Sequence, residues 1–426
     1  MASAANEARM GTALMLAQDP EQSNFGKLYA GILITATSIS FAVGRLVKTP
    51  EETVPFAFAP YDDARFNKSI PIDGFVDASQ KLNLVAAHLM TLGDELGGVG
   101  IASYGPLLAV GIKQRDQRYR VLRKSAFKIS HIGEVRDEND NVWPYGTVSP
   151  NTPHKQLINS AAEPPEGLDI YDIVRSQFND SSNPKNDVGV AIQTDVTCGA
   201  LSESFHTNFR NRITEHKGRR LEEDIVVFLH LCDGIGGGFV VNKKTVGSAN
   251  HPEIGCVSLG LEPDSDALLT SVSTGSSKQR KPISVQSQVS IGSILAKSGK
   301  QEWKDLQYED WAYAVDHVAR LCATITFILG PHQIVLHGPI SRLRRSAKTG
   351  DSFPELVLER LPLWMTFEDK PHITYSELSE GDYITGAIHP EWKTSAEENG
   401  CLDPMLYGAL IYGAQIPPEY SEIGNG

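Results

Sequence analysis

Residues 225–261 read IVVFLHLCDGIGGGFVVNKKTVGSANHPEIGCVSLGL. The apolar run Ile225 to Leu229 leads to Asp233-Gly234-Ile235-Gly236-Gly237-Gly238, and Phe239-Val240-Val241 follows at once. The pattern is strand, glycine turn, strand. Four glycines in five positions bring no side chains to a core. They are read as permitting positive φ and letting a ligand come close to bare backbone N–H groups. Thirteen residues after Gly238 comes His251-Pro252-Glu253, a polar cluster after a loop. A phosphate-type cradle joined to a hydrogen-bonding cluster points to a nucleotide on one side and a small polar substrate on the other.

The chain has 426 residues, room for two ordinary domains. Its 41% hydrophobic and 21% charged content describes a globular protein. No uninterrupted apolar run approaches the ~18–20 residues of a membrane helix, so no membrane partner is expected. Met1 to Asn24 lacks a basic segment followed by a long apolar one, and residues 1–27 read as a flexible tail. A net charge of −13 argues against nucleic acid as a partner. The basic patch Arg342, Arg344 and Arg345 reads as solvated surface. The five cysteines, Cys198, Cys232, Cys256, Cys322 and Cys401, show no CxxC pair. They read as buried free thiols, Cys232 and Cys322 above all, and a cytoplasmic location is expected.

Leu28 to Leu46 repeats the opening pattern, with Thr35-Ala36-Thr37-Ser38 as a turn between two strands. Val76 to Leu96 has helical spacing, with Leu82, Val85, Ala86, Leu89 and Leu92 on one face. Val99 to Pro106 reads as a buried strand ending in a glycine-proline loop, the kind of place where open α/β sheets bind ligands. Lys113 to Asn159 is polar and reads as substrate-side loops. Ile170 to Phe178 is weakly helical. Val188 to Ile192 is a short strand that runs through Gln193-Thr194-Asp195 into a helix carrying Val196, Ala200, Leu201, Phe205 and Phe209. Asp195 therefore lies at a helix N-terminus, which suits an N-cap and suits a general base equally well. Thr270 to Ser293 reads as an exposed loop. Trp311, Val315, Val318, Cys322, Ile325 and Leu329 mark a long helix ending at Gly330-Pro331. Gln333 to Gly338 is a strand meeting glycine, and Leu402 to Gly413 a last helix. The order implies an α/β protein of two related halves.

These segments together resemble the ROK family (repressor, open reading frame, kinase), and most closely its fructokinase-like branch. The resemblance rests on Thr194-Asp195-Val196 with Gly199-Ala200-Leu201, on Gly234 to Gly238, and on His251-Pro252-Glu253-Ile254-Gly255. Softer matches are Gly100 to Pro106, Ile328 to Pro331 with Gly338, and Gly408-Ala409. They occur in family order over roughly residues 28 to 415. The resemblance implies the actin-like, ribonuclease H-like fold, with two α/β domains around a cleft. The expected halves are residues 28–190 and 191–426, the last helix packing back on the first half. It implies ATP with Mg²⁺, and transfer of the γ-phosphoryl to a hydroxyl of fructose or a related hexose. Asp195 would be the base. Thr194, His251, Glu253, Tyr104 and Gly105 would meet the sugar. Gly234, Gly236, Gly237 and Gly238 would approach the phosphates, with Thr35 and Thr37 opposite, and Gly338 and Gly408 would line the adenosine pocket. Relatives often dimerise, so a homodimer is one expectation.

Three departures qualify that resemblance. The family usually has Gly-Gly-Thr-Lys or close to it at the first turn, where this chain has Thr35 to Ser38. The family usually has Thr before the glycine run, where this chain has Asp233. A carboxylate ~4 Å from a phosphate charge is repelled by roughly 4 kcal/mol at an effective dielectric of ~20 unless a cation bridges them or the side chain turns away. Many relatives bind zinc through a His after Glu-x-Gly and a cysteine cluster. Here that position is Cys256, and no Cys lies between Val257 and Leu321, so no structural zinc is expected. A second reading follows, of a repurposed sugar-binding relative whose phosphate site has decayed.

Overall fold

The computed structural model describes residues 25–35, 38–48, 56–72, 74–104, 107–110, 126–129, 135–136, 142–143, 168–178, 188–205, 225–232, 234–246, 254–261, 282–301, 305–345, 351–365, 371–375 and 403–415. The first sheet holds β1 (Leu28–Ile34), β2 (Ser38–Lys48), β3 (Phe56–Pro60), β4 (Asn67–Pro71) and β5 (Leu96–Ser103), with helix α1 (Gly74–Met90) between the last two. A small sheet follows, of β6 (Leu107–Val110), β7 (Ala126–Ile129) and β8 (Leu168–Asp169), then helix α2 (Ile170–Phe178). Strand β9 (Gly189–Thr194) returns to the first sheet and runs into α3 (Asp195–Ser204).

The first sheet has the order β9-β5-β1-β2-β3, with β4 also on β2. β1 pairs antiparallel with β2 and parallel with β5, and β9 pairs parallel with β5. The second sheet is built from β10 (Ile225–Leu231), β11 (Ile235–Val241), β12 (Lys244–Thr245), β15 (Gln333–His337) and β16 (His372–Tyr375). Its order, β12-β11-β10-β15-β16, repeats the first: a hairpin, then two strands added parallel to the hairpin's first strand. Between its two parts lie β13 (Ser258–Leu261), β14 (Pro282–Ser284), α4 (Val285–Val289), α5 (Ile291–Ser298) and α6 (Tyr308–Leu329). Helix α7 (Phe353–Arg360) precedes β16, and α8 (Pro404–Gln415) closes the described chain. This duplicated α/β plan is the actin-like fold.

Three apolar cores arrange these elements in layers. Leu82, Val85, Ala86 and Leu89 of α1 and Val174 of α2 bury against one face of the first sheet. Trp311, Val315, Val318 and Cys322 of α6, with Phe353 and Val357 of α7, bury against one face of the second. The third core lies between the sheets and is filled by α3 and α8, with Val196, Leu201, Met405, Leu406 and Leu410 among its members. α6 is long and apolar enough to cross a membrane by length and composition. Its apolar stripe is the one that packs on the second sheet. It stops at Gly330 in the left-handed conformation, which satisfies the helix end without a Cβ clash.

The middle layer is tight because backbone meets backbone. A Cβ on Gly408 would lie 1.8 Å from the Cys198 carbonyl oxygen, and one on Gly100 would lie 1.9 Å from that of Ala409. Small residues at these crossings let α8 lie directly on α3 and on β5.

Several expectations change here. The composition of Thr270 to Ser293 predicts a loop, yet 282–293 carries β14, α4 and the start of α5. Its serines cap helices: the Ser284 and Ser290 hydroxyls accept from the N–H groups of Ser287 and Ser293. Val285, Val289 and Ile294 then bury completely. Within Lys113 to Asn159, where loops are expected, Ala126–Ile129 is a strand paired with β6 and β8. The expected domain boundary at 190/191 falls inside β9, because Gly189 to Thr194 pair with Gly98 to Ser103. The chain leaves the first sheet at Thr194. Cys322 and Cys198 are buried, but Cys232 is only partly so and Cys256 is exposed. The tail residues 1–24 lie outside the described residues.

Candidate functional site

The glycine stretch, expected to be a phosphate cradle, is built into a strand. Gly236, Gly237 and Gly238 belong to β11 and pair with His230, Leu229 and Phe228 of β10. Gly236, Gly237 and Gly238 are not among the described glycines with positive φ. A Cβ on Gly238 would lie 2.4 Å from the backbone of Val196 and Thr197. A Cβ on Gly237 would meet Ile254 at 2.4 Å. Packing is thus one reason for these glycines after all: they let the N-terminal turn of α3 lie directly on the strand. That contact carries Asp195 to the second sheet.

Asp195 opens α3 and is nearly buried. Its Oδ1 accepts from the Val196 N–H at 2.7 Å. Thr194 is the N-cap: its hydroxyl accepts from the Thr197 N–H at 3.3 Å and donates to the Thr197 hydroxyl at 2.7 Å. The Thr194 N–H donates to Gln193 Oε1 at 2.9 Å. The polar ends of β9 and α3 are therefore held by local hydrogen bonds in a fixed geometry. The N–H dipoles of the first turn favour a negative charge there.

Two histidines end the central strands of the second sheet. His230 of β10 and His337 of β15 are register partners. Their Nδ1 atoms are 2.8 Å apart, and their rings stack with centroids 4.9 Å apart. His337 also stacks on Phe228. Burial opposes a charge on His230, but Cys232 beside it and the carboxylates of Asp195 and Asp403 outweigh that and hold its pKa up at about 9. Burial, the neighbouring His230 and Arg342 push His337 well below the usual histidine value. Asp403 is raised by burial and by Asp195, against the N–H of Met405 and the charge of His230.

Gly338 follows β15 with φ +93° and starts a short 3-10 turn, Pro339–Arg342. Its carbonyl accepts from the Ser341 N–H at 3.1 Å and the Ser341 hydroxyl at 2.7 Å. A Cβ there would lie 2.6 Å from the Leu231 carbonyl, so both the conformation and the space demand glycine. Gly408, expected to line the adenosine pocket, stands at the crossing of α8 with α3. In sequence, a glycine in a helix serves close packing and ligand approach equally well.

At the first turn, Thr35 and Ser38 hold each other. Thr35 Oγ1 accepts from the Ser38 N–H at 3.0 Å and lies 2.8 Å from Ser38 Oγ. The Thr35 N–H donates to the Ser38 carbonyl at 2.9 Å. Tyr104 donates its N–H to the Ile34 carbonyl at 3.1 Å and packs on the core of the first sheet, joining β5 to this hairpin. Thr37, Gly105, Asp233, His251 and Glu253 lie outside the described residues. Arg345 of the basic patch pairs with Asp351 and Glu359. Among the described residues, no group of three or more His, Cys, Asp and Glu side chains is arranged to hold a metal ion.

Asp195 and Asp403 act electrostatically on His230, which bonds His337; His230, His337 and Asp403 are residues that sequence reasoning does not single out. A signal is present: a lone histidine stands at or near the end of each of two largely apolar strands, Ile225 to Leu231 and Gln333 to His337.

The solved structure of a proposed sugar kinase from Cytophaga hutchinsonii is similar over 90% of this chain and 98% of its own, with TM-score 0.50 and 16% identity. The fold is the actin-like fold of sugar kinases. A ROK hexokinase from Thermus thermophilus aligns over 94% of this chain and 100% of its own at 14% identity and TM-score 0.47. A ROK glucokinase from Streptomyces griseus, solved with glucose and AMPPNP, aligns over 92% and 100% at 12% identity and TM-score 0.45. No family model matches the chain, and no curated protein does.

Proposed function

We propose that the chain is an ATP-dependent sugar kinase that phosphorylates fructose or a related hexose, with Asp195 as the base. The observation that carries this reading is the placement of Asp195. It is held at the first turn of α3, where β9 of one sheet hands over to a helix packed on β11 of the other. Phosphoryl transfer asks little of a protein beyond positioning, charge neutralisation and a correctly oriented base. The Val196 N–H fixes one oxygen of this carboxylate, which orients it at the start of the helix. Fold alone does not carry an activity, so the reading rests on this site. ATP with Mg²⁺ is the phosphoryl donor in this reading, and the sugar is the acceptor.

A second reading, of a repurposed sugar-binding relative with a degenerate phosphate site, is favoured by the first turn. The Thr35 and Ser38 side chains are engaged with each other. One experiment separates the two. Purified protein is given Mg²⁺-ATP and a panel of hexoses, and ADP is measured; in parallel its melting temperature is followed with each ligand. Turnover that Asp195→Asn removes supports the kinase. Stabilisation by a sugar, with no turnover and no stabilisation by Mg²⁺-ATP, overturns it in favour of the second reading.

A further inference from the structure

The corner where β9 turns into α3 is rich in polar groups that have partners within it. The Val196 N–H goes to Asp195 Oδ1 at 2.7 Å. The Thr197 N–H goes to the Thr194 hydroxyl at 3.3 Å, and that hydroxyl gives its own proton to the Thr197 hydroxyl at 2.7 Å. Thr194, expected to meet the sugar, therefore uses its proton inside the helix. The Thr194 N–H is taken by Gln193 Oε1 at 2.9 Å. These bonds fix the corner and use the N–H groups of residues 194, 196 and 197.

Gln193 adds two donors to this corner. Only the carbonyl end of a side-chain amide accepts an N–H, so the bond to Thr194 decides which end of Gln193 is which. The Nε2 group, with its two N–H donors, is held at the other end. Among the described residues it has no acceptor. Gln193 is only 2% exposed. A donor left unpaired in so buried a place is costly, and a ligand oxygen that accepts from it removes the cost.

The sheet sets where this side chain lies. Gln193 is the register partner of Ala102, which belongs to the core between the sheets, whereas Val188 and Ile192 belong to the outer core with α1. Gln193 is therefore on the inner face of the first sheet, at the C-terminal end of its strand. Thr194, between it and Asp195, is extended, with φ −67° and ψ 147°, so the two side chains leave the chain on the same side.

We propose that Gln193 is a specificity-determining residue whose Nε2 donates a hydrogen bond to a sugar hydroxyl oxygen next to the hydroxyl that Asp195 deprotonates. This rests on the reading of Asp195 as the base in a sugar site. A hexose offers neighbouring hydroxyls, each with a proton to give and lone pairs to receive. An acid and an amide two residues apart on one side of the chain suit such a pair. The carboxylate takes the proton of one hydroxyl, and the amide N–H holds the oxygen of its neighbour. The carbonyl end, locked on Thr194, ties this contact to the backbone that positions the base.

The test is calorimetric binding to the full chain of D-fructose, D-glucose and D-mannose, each beside its monodeoxy and monofluorodeoxy derivatives. Removal of one particular hydroxyl is expected to weaken binding to the unaltered protein about tenfold. Gln193→Met, which has no donor, is expected to bind the parent sugar about tenfold more weakly, yet to bind that deoxy derivative as well as the unaltered protein does. A variant that weakens the parent and every deoxy derivative by one factor overturns the proposal, as does a variant that weakens none, because a merely structural Gln193 is blind to which hydroxyl is present. If Gln193→Met does not fold, Gln193→Glu serves, since its carboxylate still accepts from the Thr194 N–H. It turns the donor into an acceptor. The fluoro derivative at that position, which has no proton to give, is then expected to bind about tenfold worse, relative to its parent, than it does to the unaltered protein; an unchanged ratio overturns the proposal. Selective binding without ADP formation sinks the kinase reading and leaves this one. ADP formation without the selective loss does the reverse, and no binding of any of the three sugars overturns both.

Discussion

The α-carbon of Gly408 lies against the carbonyl of Cys198, so close that a methyl group there would be 1.8 Å from the oxygen. The contact joins α8 to α3, the two helices between the sheets, and neither backbone can retreat without disturbing a sheet. Gly408→Ala is expected to destabilise the protein by about 3 kcal/mol or more, the upper end for overpacking, because the obstacle is backbone. Gly93, with φ +56° and open space around it, is the control. Gly93→Ala is expected to cost only about 1 kcal/mol, from the left-handed conformation. Urea unfolding of both variants checks the order; equal losses would refute the close crossing.

The histidine pair gives folding stability a pH signature whose sign can be worked out. His230 is raised to about 9, so its contribution is fully present below the ordinary histidine value of about 6.5 and is lost as pH rises through 9. His337 is depressed, so the unfolded chain takes up a proton below about 6.5 that the folded chain does not. The pair's contribution therefore peaks near pH 6.5. It falls on the alkaline side by about 1.4 kcal/mol per pH unit until 9, and falls on the acidic side as well. Urea unfolding from pH 5 to 10 should show the alkaline fall as the difference between the unaltered protein and His230→Gln, since the variant keeps the burial of His337 and its Arg342 neighbour. A flat difference would refute the charge assignment.

Much of the fold is legible in the sequence because its elements are locally consistent. The alternation around Thr35 to Ser38, the stripe from Trp311 to Leu329 and the strand before Gly338 are all readable from period and punctuation. Gly238 and Gly408 read as ligand-facing because a residue without a side chain gives no periodic signal of what it touches. Only the tertiary structure shows that their neighbours are the backbones of Val196 and Cys198. Ser284 and Ser290 read as loop because serine favours turns and N-caps alike, and the buried partners of Val285 and Ile294 lie far along the chain. His230 and His337 are 107 residues apart, so their pairing depends on strand order.

Asp195→Asn separates the chemical role of this residue from its structural one. Asparagine keeps an oxygen acceptor for the Val196 N–H, so the start of α3 should survive and stability should change by less than about 1 kcal/mol. The amide cannot take a proton from a sugar hydroxyl. Turnover is expected to fall by about 10²–10⁴-fold, with the sugar still stabilising the protein against heat. Thr194→Ala should behave oppositely, losing about 1 kcal/mol of stability through the cap while retaining Asp195. Equal losses of activity in both variants would make Asp195 a cap and nothing more.

Thr35→Val tests whether the first turn faces a ligand. Valine has nearly the shape of threonine but cannot accept from the Ser38 N–H or bond the Ser38 hydroxyl. The hairpin should lose about 1–2 kcal/mol, because a part-buried N–H is left without its acceptor. If that hydroxyl is consumed within the turn, the rise in melting temperature with saturating Mg²⁺-ATP should be the same in Thr35→Val as in the unaltered protein, even though both melt from different starting points. A smaller rise in the variant would mean that the hydroxyl leaves Ser38 for a phosphate when nucleotide arrives. The turn would then be a working half of the phosphate site in spite of its missing glycines.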